Sequence, residues 1–592
     1  MSWFWRTKPR SIIKTLQWFP HFGSLEGQNW DEAIDRTNIF NHKKIYPVRR
    51  SYIYYAHGEE DSWLSGISFE EYLSGSKDQK ETESNGRNDK TTFEFFGFGY
   101  VDKAGIIHAT ENGRKIMQGL YDQERYLKQL LKLHLPNPIQ KIKSRHAAPS
   151  IFPMQLILQV FSKYESLNRC ELALLFGCDH QDQLPDLLNA IGAFKESYQA
   201  LPNKLDTKQV KELFLHIYEK YLGTPENKVN SYLDYAEAFS RSLAYTGLFS
   251  LSGRSLATKV RVASHAKKKM ELLQRSFTFL YPEPFSSLES YMEWYGSDTN
   301  VILPWDNIDE RKELVQEKIS LLQNLMDQQS SQTYQQRSFV SQQDLDLLFL
   351  QTTNYQSVSA LKDVEKTLDQ AITNHNEEYF IHVASKTEKE RSAILDKFND
   401  ILANDDMSAL WLEVNTWKSF IAIQGKQKVK RNFHLEEDLT PRSFAPGIGN
   451  TPDMEVYYKN IILLPEVSLM TGVRQWEHEA SSVIDHVIHF IEQEPEKEVC
   501  GLFLSTRIHL RTMWQFFVLN RESWLGKSVP VVPLTITQFV TLITHCYQKE
   551  ISIEVFLAFL LSLAAMSKHC TDYKDWEQQI HTRIQQFICQ KK

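Results

Sequence analysis

Apolar positions change their spacing along this chain, and the changes divide it into three zones. Over about 1–285, helical stretches alternate with short β-prone runs. Phe95-Phe-Gly-Phe-Gly-Tyr-Val101 predicts a strand, Asp102-Lys-Ala-Gly105 a turn and Ile106-Ile-His-Ala109 a second strand. Thr110 then predicts the N-cap of a helix over Glu111 to Leu120. Tyr245 to Leu251, a turn at Ser252-Gly253 and Arg254 to Ala257 repeat the order, with a basic helix expected from near Thr258. The polar insert Ser74 to Lys90 has little to bury and predicts a flexible loop.

Over about 286–400 the spacing is helical and the background polar. Leu314, Ile319, Leu322 and Leu325, then Leu345 and Leu348, then Leu361, Val364 and Leu368 fall on successive turns. A Gln-rich break from Gln328 to Gln342 interrupts them. Beyond 401, strands and helices alternate. A helix is expected over Ser408 to Gln424, strands over Met454 to Tyr458 and Ile461 to Val467, and a helix from Arg474 to Ile491. Further strands are expected at Val499 to Ser505 and Val529 to Leu534, the last followed by a helix capped by Thr535. That alternation predicts helices packed around a mixed sheet.

A chain of 592 residues exceeds one hydrophobic core, so several domains are expected. The division is 1–150 and 151–285 as two winged-helix-like recognition subdomains, 286–400 as a helical linker, and 401–592 as an α/β domain. The fold class is therefore multidomain α+β. Helices followed by a two-stranded wing and another helix are the order of modules that dock on DNA; plain structural hairpins would read the same. The net charge of −7 splits into +3 over residues 1–300 and −10 over the rest, which neither requires nor excludes nucleic acid. Six scattered cysteines without a CxxC pair predict buried free thiols rather than zinc or disulfides. The most apolar run, Ile551 to Met566, contains Glu554 and is too short to span a bilayer. With no signal-like segment, a cytoplasmic protein without membrane association is expected.

The candidate chemistry lies in the last zone. Asp453 stands at the mouth of one strand and Glu466 near the end of the next, so a hairpin brings their carboxylates together. Paired carboxylates are costly unless a proton or cation separates them, and oxygen-only donors suit Mg²⁺. The preceding Ala445-Pro-Gly-Ile-Gly-Asn450 loop can turn sharply. Taken alone, the pair also reads as a strand cap and an edge charge. Glu413 on the preceding helix, Glu479 on the next, and His486 two turns beyond Glu479 on the same face add weight. Glu477 and His478 point elsewhere on that helix.

With these residues in place the chain resembles the AlwI family of type IIS restriction and nicking endonucleases. The segments that carry the resemblance are Glu413-Val-Asn-Thr-Trp-Lys-Ser-Phe420, Gly449-Asn-Thr-Pro-Asp-Met-Glu455, Leu464-Pro-Glu-Val-Ser468 and Gln475-Trp-Glu-His-Glu479, with His486 beyond. Pro9-Arg-Ser11 with Lys14, the wing from Phe96 to Gly113, and Tyr245-Thr-Gly-Leu-Phe249 match in order upstream. The resemblance implies a PD-(D/E)xK nuclease core with Asp453 and Glu466 as metal ligands. Glu479, Glu413 and His486 would complete the site. It further implies double-stranded DNA as the partner, contacted by Arg10, Lys14, Lys259 and Arg261. Ser468 stands where the superfamily pattern has lysine. The implied activity is Mg²⁺-dependent hydrolysis of a phosphodiester outside a short asymmetric site. A single acidic cluster implies one strand cut per chain, with a transient homodimer or a small second nuclease subunit needed for the other. A DNA-binding regulator with an inactive nuclease-like domain and a non-specific repair nuclease are the alternatives.

Overall fold

The computed structural model describes residues 3–31, 52–53, 55–56, 71, 79–139, 150–201, 206–252, 256, 258–329, 341–403, 408–441, 451–472, 475–521 and 528–589. The compact units number two: Met1–Leu251 with Ser255–Glu310, and Ser252–Arg254 with Arg311–Lys592. The stretch 286–400, expected as a spacer, is thus shared between them. The Gln-rich break over residues 330–340, the Arg254 turn and the Ala445-to-Asn450 loop lie outside the described residues. Five of the six cysteines are buried, all six are free, and no described helix is long and apolar enough to cross a membrane.

In the first unit, aromatic side chains join the aliphatic residues of the core. The Trp3 ring lies 4.1 Å from Phe176 and the Trp5 ring 4.4 Å from Phe239, while Trp5 also meets Phe95 edge-on at 5.1 Å. The N-terminal segment therefore ties the residues on either side of 150 into one core. Strands β1 (Gly99–Val101) and β2 (Ile107–Ala109) form the antiparallel hairpin expected. Thr110 caps the helix Glu111–Met117 by accepting from the Gly113 N–H at 3.2 Å. At Gly113 an added Cβ would sit 2.0 Å from the Phe98 carbonyl oxygen, so only glycine lets this helix approach the hairpin so closely.

Two expectations fail in this unit. The polar insert is a helix from Gln79 to Phe95, not a loop; residues 74–78 lie outside the described residues. Its C-terminal half is held by tertiary contacts, with Phe93 and Phe95 buried and Arg6 donating to the Asn88 carbonyl and the Thr92 hydroxyl. The helix expected from Thr258 is instead strand β5 (Lys259–Val262), and the helix starts at Lys267. Strand β5 lies between β3 (Ser166–Asn168) and β4 (Phe249–Ser252). Lys-Val-Arg-Val alternates with period two, burying Val260 and exposing Lys259 and Arg261, which is a strand pattern.

The second unit is built on one mixed five-stranded sheet of order β10-β9-β8-β7-β6. Strands β6 (Lys428–Arg431), β7 (Met454–Tyr458) and β8 (Ile461–Ser468) pair antiparallel. Strands β9 (Glu498–Ser505) and β10 (Val531–Thr535) extend the sheet in parallel with β8. Lys459 takes φ 51° in the two-residue connection between β7 and β8, as a tight hairpin requires. Thr535 caps the helix Ile536–Lys549 through a capping box with Gln538. The helices Ser408–Ala422 and Ala480–Gln493 pack on the sheet. Glu388–Leu402, expected within the spacer, buries Ile394, Phe398 and Ile401 in the same core as the sheet.

Candidate active site

Register brings the first two carboxylates together. Strands β7 and β8 pair Val456 with Leu463 and Tyr458 with Ile461, and continuing that register three residues back from Val456 puts Asp453 across from Glu466. The two residues are also tied directly. The Val467 N–H donates to Asp453 Oδ2 at 2.8 Å, and the Asp453 backbone N–H lies close enough to the Glu466 carboxyl to favour its charged form. From the other side, Asn432 next to β6 donates its N–H to the Asp453 carbonyl at 3.0 Å and its Nδ2 to the Pro452 carbonyl at 2.8 Å. The Asp453 main chain is thus fixed from both neighbouring strands.

Helices supply the rest. The residues Gln475–Glu479 form one turn of π-helix, rather than the first turn of an α-helix expected from Arg474, and Glu479 is the residue from which Ala480–Gln493 continues. Such a wide turn is a common feature of functional sites. Two turns on, His486 is buried and its Nδ1 makes a short hydrogen bond to Glu466 Oε1. Glu477 is exposed, consistent with its pointing away. Glu413 projects from the helix Ser408–Ala422, close enough to raise the Asp453 pKa electrostatically.

Two neighbouring carboxyls show what the arrangement does to protons. Burial pushes Asp453 well above the ordinary aspartate range, and Glu466, Glu413 and Glu479 push it further; only the Val467 N–H opposes them. Glu466 is raised as well, chiefly by burial, although the contact with His486 pulls the other way. Glu455 on β7, two residues beyond Asp453, is buried, yet Lys430, Tyr457 and Asn432 donate to it and hold it below the usual value. Asp453 and Glu466 are therefore held above the ordinary carboxylate range, Glu466 despite its contact with His486, whereas Glu455 is a satisfied structural anion. No three or more Asp, Glu, His or Cys side chains form a ready-made cation cage among the described residues. Two carboxylates with oxygen donors only are nevertheless what Mg²⁺ takes from a protein when substrate and water complete its shell.

Comparison with known proteins settles which family this geometry belongs to. The AlwI restriction endonuclease family matches residues 96–542, three-quarters of the chain. The chain belongs to the AlwI restriction endonuclease family. It is accordingly a site-specific deoxyribonuclease of the restriction type, and DNA is its substrate. No curated protein matches it. Among solved structures, the small subunit (R.BspD6I2) of the heterodimeric restriction endonuclease R.BspD6I is 23% identical, covering 33% of this chain and 98% of that one at a TM-score of 0.28.

Within this AlwI-family enzyme, the basic residues expected to meet DNA differ in setting. Lys259 and Arg261 stand on the exposed face of β5, and the Arg261 Nε donates to the Ser250 hydroxyl at 3.2 Å. Lys14 lies over the Trp18 ring at 5.8 Å. Arg10 is already engaged by Glu237 at 2.8 Å and Asp234 at 3.2 Å, acids it shares with Arg169. Reading a base with Arg10 would require breaking those pairs.

Gln475 is the residue the sequence hid. It is fully buried, and its Nε2 donates to the Met470 carbonyl, the Ser505 hydroxyl and the Arg507 carbonyl at 2.8–3.0 Å. Its Oε1 accepts from the His509 N–H at 2.6 Å. One amide thereby fastens the loops after β8 and β9 to the turn that carries Glu479. A neutral amide beside two glutamates and a histidine gives no chemical signal, and only its place in Gln475-Trp-Glu-His-Glu479 marked it.

Proposed function

We propose that the cluster around Asp453 and Glu466 is the hydrolytic site of a Mg²⁺-dependent endonuclease of the PD-(D/E)xK kind. On this reading the enzyme cuts one DNA strand per chain outside a short asymmetric site of the type IIS class. The observation that carries it is the pair itself. The Asp453 carboxyl accepts from the Val467 N–H beside Glu466, and burial and neighbouring carboxyls push both acids toward protonation. A divalent cation relieves that strain at the place where a phosphate oxygen must bind. Mg²⁺ there would lower the pKa of a bound water and neutralise charge on the leaving oxygen.

The chain's own residues have separable parts. Asp453 and Glu466 hold the cation, and His486 fixes the Glu466 carboxylate so that one oxygen faces the site. Glu479 and Glu413 orient water, Glu479 taking the role of base that Ser468 cannot fill. The first unit reads DNA through its winged-helix-like hairpins, with Lys259, Arg261, Lys14 and Arg10 as candidate contacts. With one cluster per chain, the second strand is cut only by a second nuclease domain, from another copy or a small partner subunit.

Supercoiled plasmid tests this directly. At low enzyme concentration with Mg²⁺, open circles are expected to accumulate before linear DNA, and EDTA is expected to stop both. Linear product without an open-circle stage would sink the one-strand reading, and undiminished cutting in EDTA would sink the metal. Activity is also expected to fall as pH drops, because protons compete for the raised Asp453 and Glu466 carboxyls. Raising Mg²⁺ should shift the acid limb of the pH–rate profile to lower pH. An acid limb insensitive to Mg²⁺ would rule out that competition.

A further inference from the structure

The acidic cluster must receive a polyanion, and the ExK position offers no positive charge: Ser468 is buried, and its hydroxyl accepts from the Met470 N–H at 3.0 Å. The carboxyl ends of β8 and β9 lie side by side, with Ser468 in register with Ser505. Just beyond Ser505 the chain runs Thr-Arg-Ile-His-Leu-Arg into the helix Leu510–Arg521, and both Arg507 and Arg511 are exposed.

Three observations give this segment a role. The Arg511 guanidinium lies over the Trp476 ring at 4.9 Å, and Trp476 is three residues from Glu479. The backbone at Arg507 and His509 is pinned to Gln475, so the segment and the Glu479 turn are held by one side chain. Neither arginine forms an ion pair with a carboxylate among the described residues, although Arg10, Arg169, Arg391 and Arg431 in the same chain all do. A stacked guanidinium is pre-oriented, so it loses little freedom when its fork meets a phosphate. One helical turn past Arg511, Trp514 is 53% exposed and continues the same face.

We infer that Arg511, with Arg507 beside it, is the phosphate-positioning element for the reacting strand, supplying from the β9-to-helix segment the charge that Ser468 lacks. The inference rests on the acidic cluster being the hydrolytic site. It makes the two arginines positioning residues: they grip phosphates flanking the scissile one and set the strand against the carboxylates.

The test begins by mapping the cut on a duplex that carries the enzyme's site. Wild type, Arg511→Ala, Arg511→Lys, Arg507→Ala and Asp453→Asn are then compared in single turnover on that duplex. A second set of duplexes carries a neutral methylphosphonate at each phosphate around the cut. Arg511→Ala should slow cleavage on the order of 100-fold, with Arg511→Lys recovering part of the loss. Its melting temperature should be unchanged, and its metal-free affinity for the site should change by less than about threefold, since contacts elsewhere carry specific binding. One methylphosphonate should slow wild type strongly and leave Arg511→Ala unaffected, a signature that a merely structural arginine would not give. Wild-type rates for both alanine variants, or equal methylphosphonate penalties in wild type and Arg511→Ala at every position, would overturn it. If Asp453→Asn is inert while both arginine variants cut normally, the arginine assignment alone falls. If Asp453→Asn still cuts, the site reading falls and takes this inference with it.

Discussion

Asp453→Asn is expected to lower cleavage by on the order of 1,000-fold or more while making the metal-free protein harder to unfold. The two effects have one cause. In the folded chain Asp453 is pushed well above its ordinary pKa by burial and by Glu466, Glu413 and Glu479. The folded state therefore binds that proton more tightly than the unfolded state does. Stability falls as pH rises from the unfolded value, near 4, through the folded one, and the penalty is complete above it. Asparagine removes the charge and keeps an oxygen to accept from Val467. In EDTA at neutral pH the variant should melt higher by about 2 °C for each kcal/mol of repulsion relieved, and the gap should close as pH is lowered. Saturating Mg²⁺ should stabilise wild type but not the variant. A variant that loses activity and melts lower would mean that Asp453 stabilises the fold rather than storing repulsion for a cation.

The largest loss of stability is expected far from the chemistry. Arg311 is fully buried, and its guanidinium donates to Glu365 Oε2 at 2.7 Å. Lys318 reaches the other oxygen of Glu365 at 3.4 Å and also pairs with Asp369. These groups join the helices Ile308–Gln329 and Val358–His382 inside the second unit. Glu365→Ala removes the carboxylate shared by buried Arg311 and Lys318, and should cost about 3–5 kcal/mol. The melting transition of that unit should fall by roughly 6–20 °C. Arg311→Met with Glu365→Leu removes both charges and should regain most of the loss. If the double variant is no better than Glu365→Ala, hydrophobic volume rather than charge governs the position.

What the sequence made legible follows from signal length. Strands β8 to β10 are apolar runs bounded by turns, and their limits fall within two residues of expectation. His486 was legible because helical spacing places it two turns from Glu479. Lys259 and Arg261 fit a helix in the basic stretch running to Lys269, although Lys-Val-Arg-Val alternates by two and forms a strand. The Ser74-to-Lys90 insert resembles a loop because the helix Gln79–Phe95 has no apolar face until Phe93, and its support comes from Arg6, more than eighty residues away. The site followed the same rule. The carboxylates stand out by charge, whereas Gln475 and Asn432 act through amides whose partners are distant in sequence. The role inferred for Arg511 depends on a ring 35 positions upstream that no local pattern links to it.

Asp453, Glu466, Glu413, Glu479 and His486 all fall within the compact unit Arg311–Lys592. That placement has an evolutionary consequence. Substitutions in Met1–Leu251 change no member of the cluster. With site recognition in the first unit, as proposed, a lineage could revise which nucleotides it tolerates by drift in one half of the gene while purifying selection holds the other half still. On that reading, recombination near the codon for Arg311 would exchange an address without rewriting the reaction.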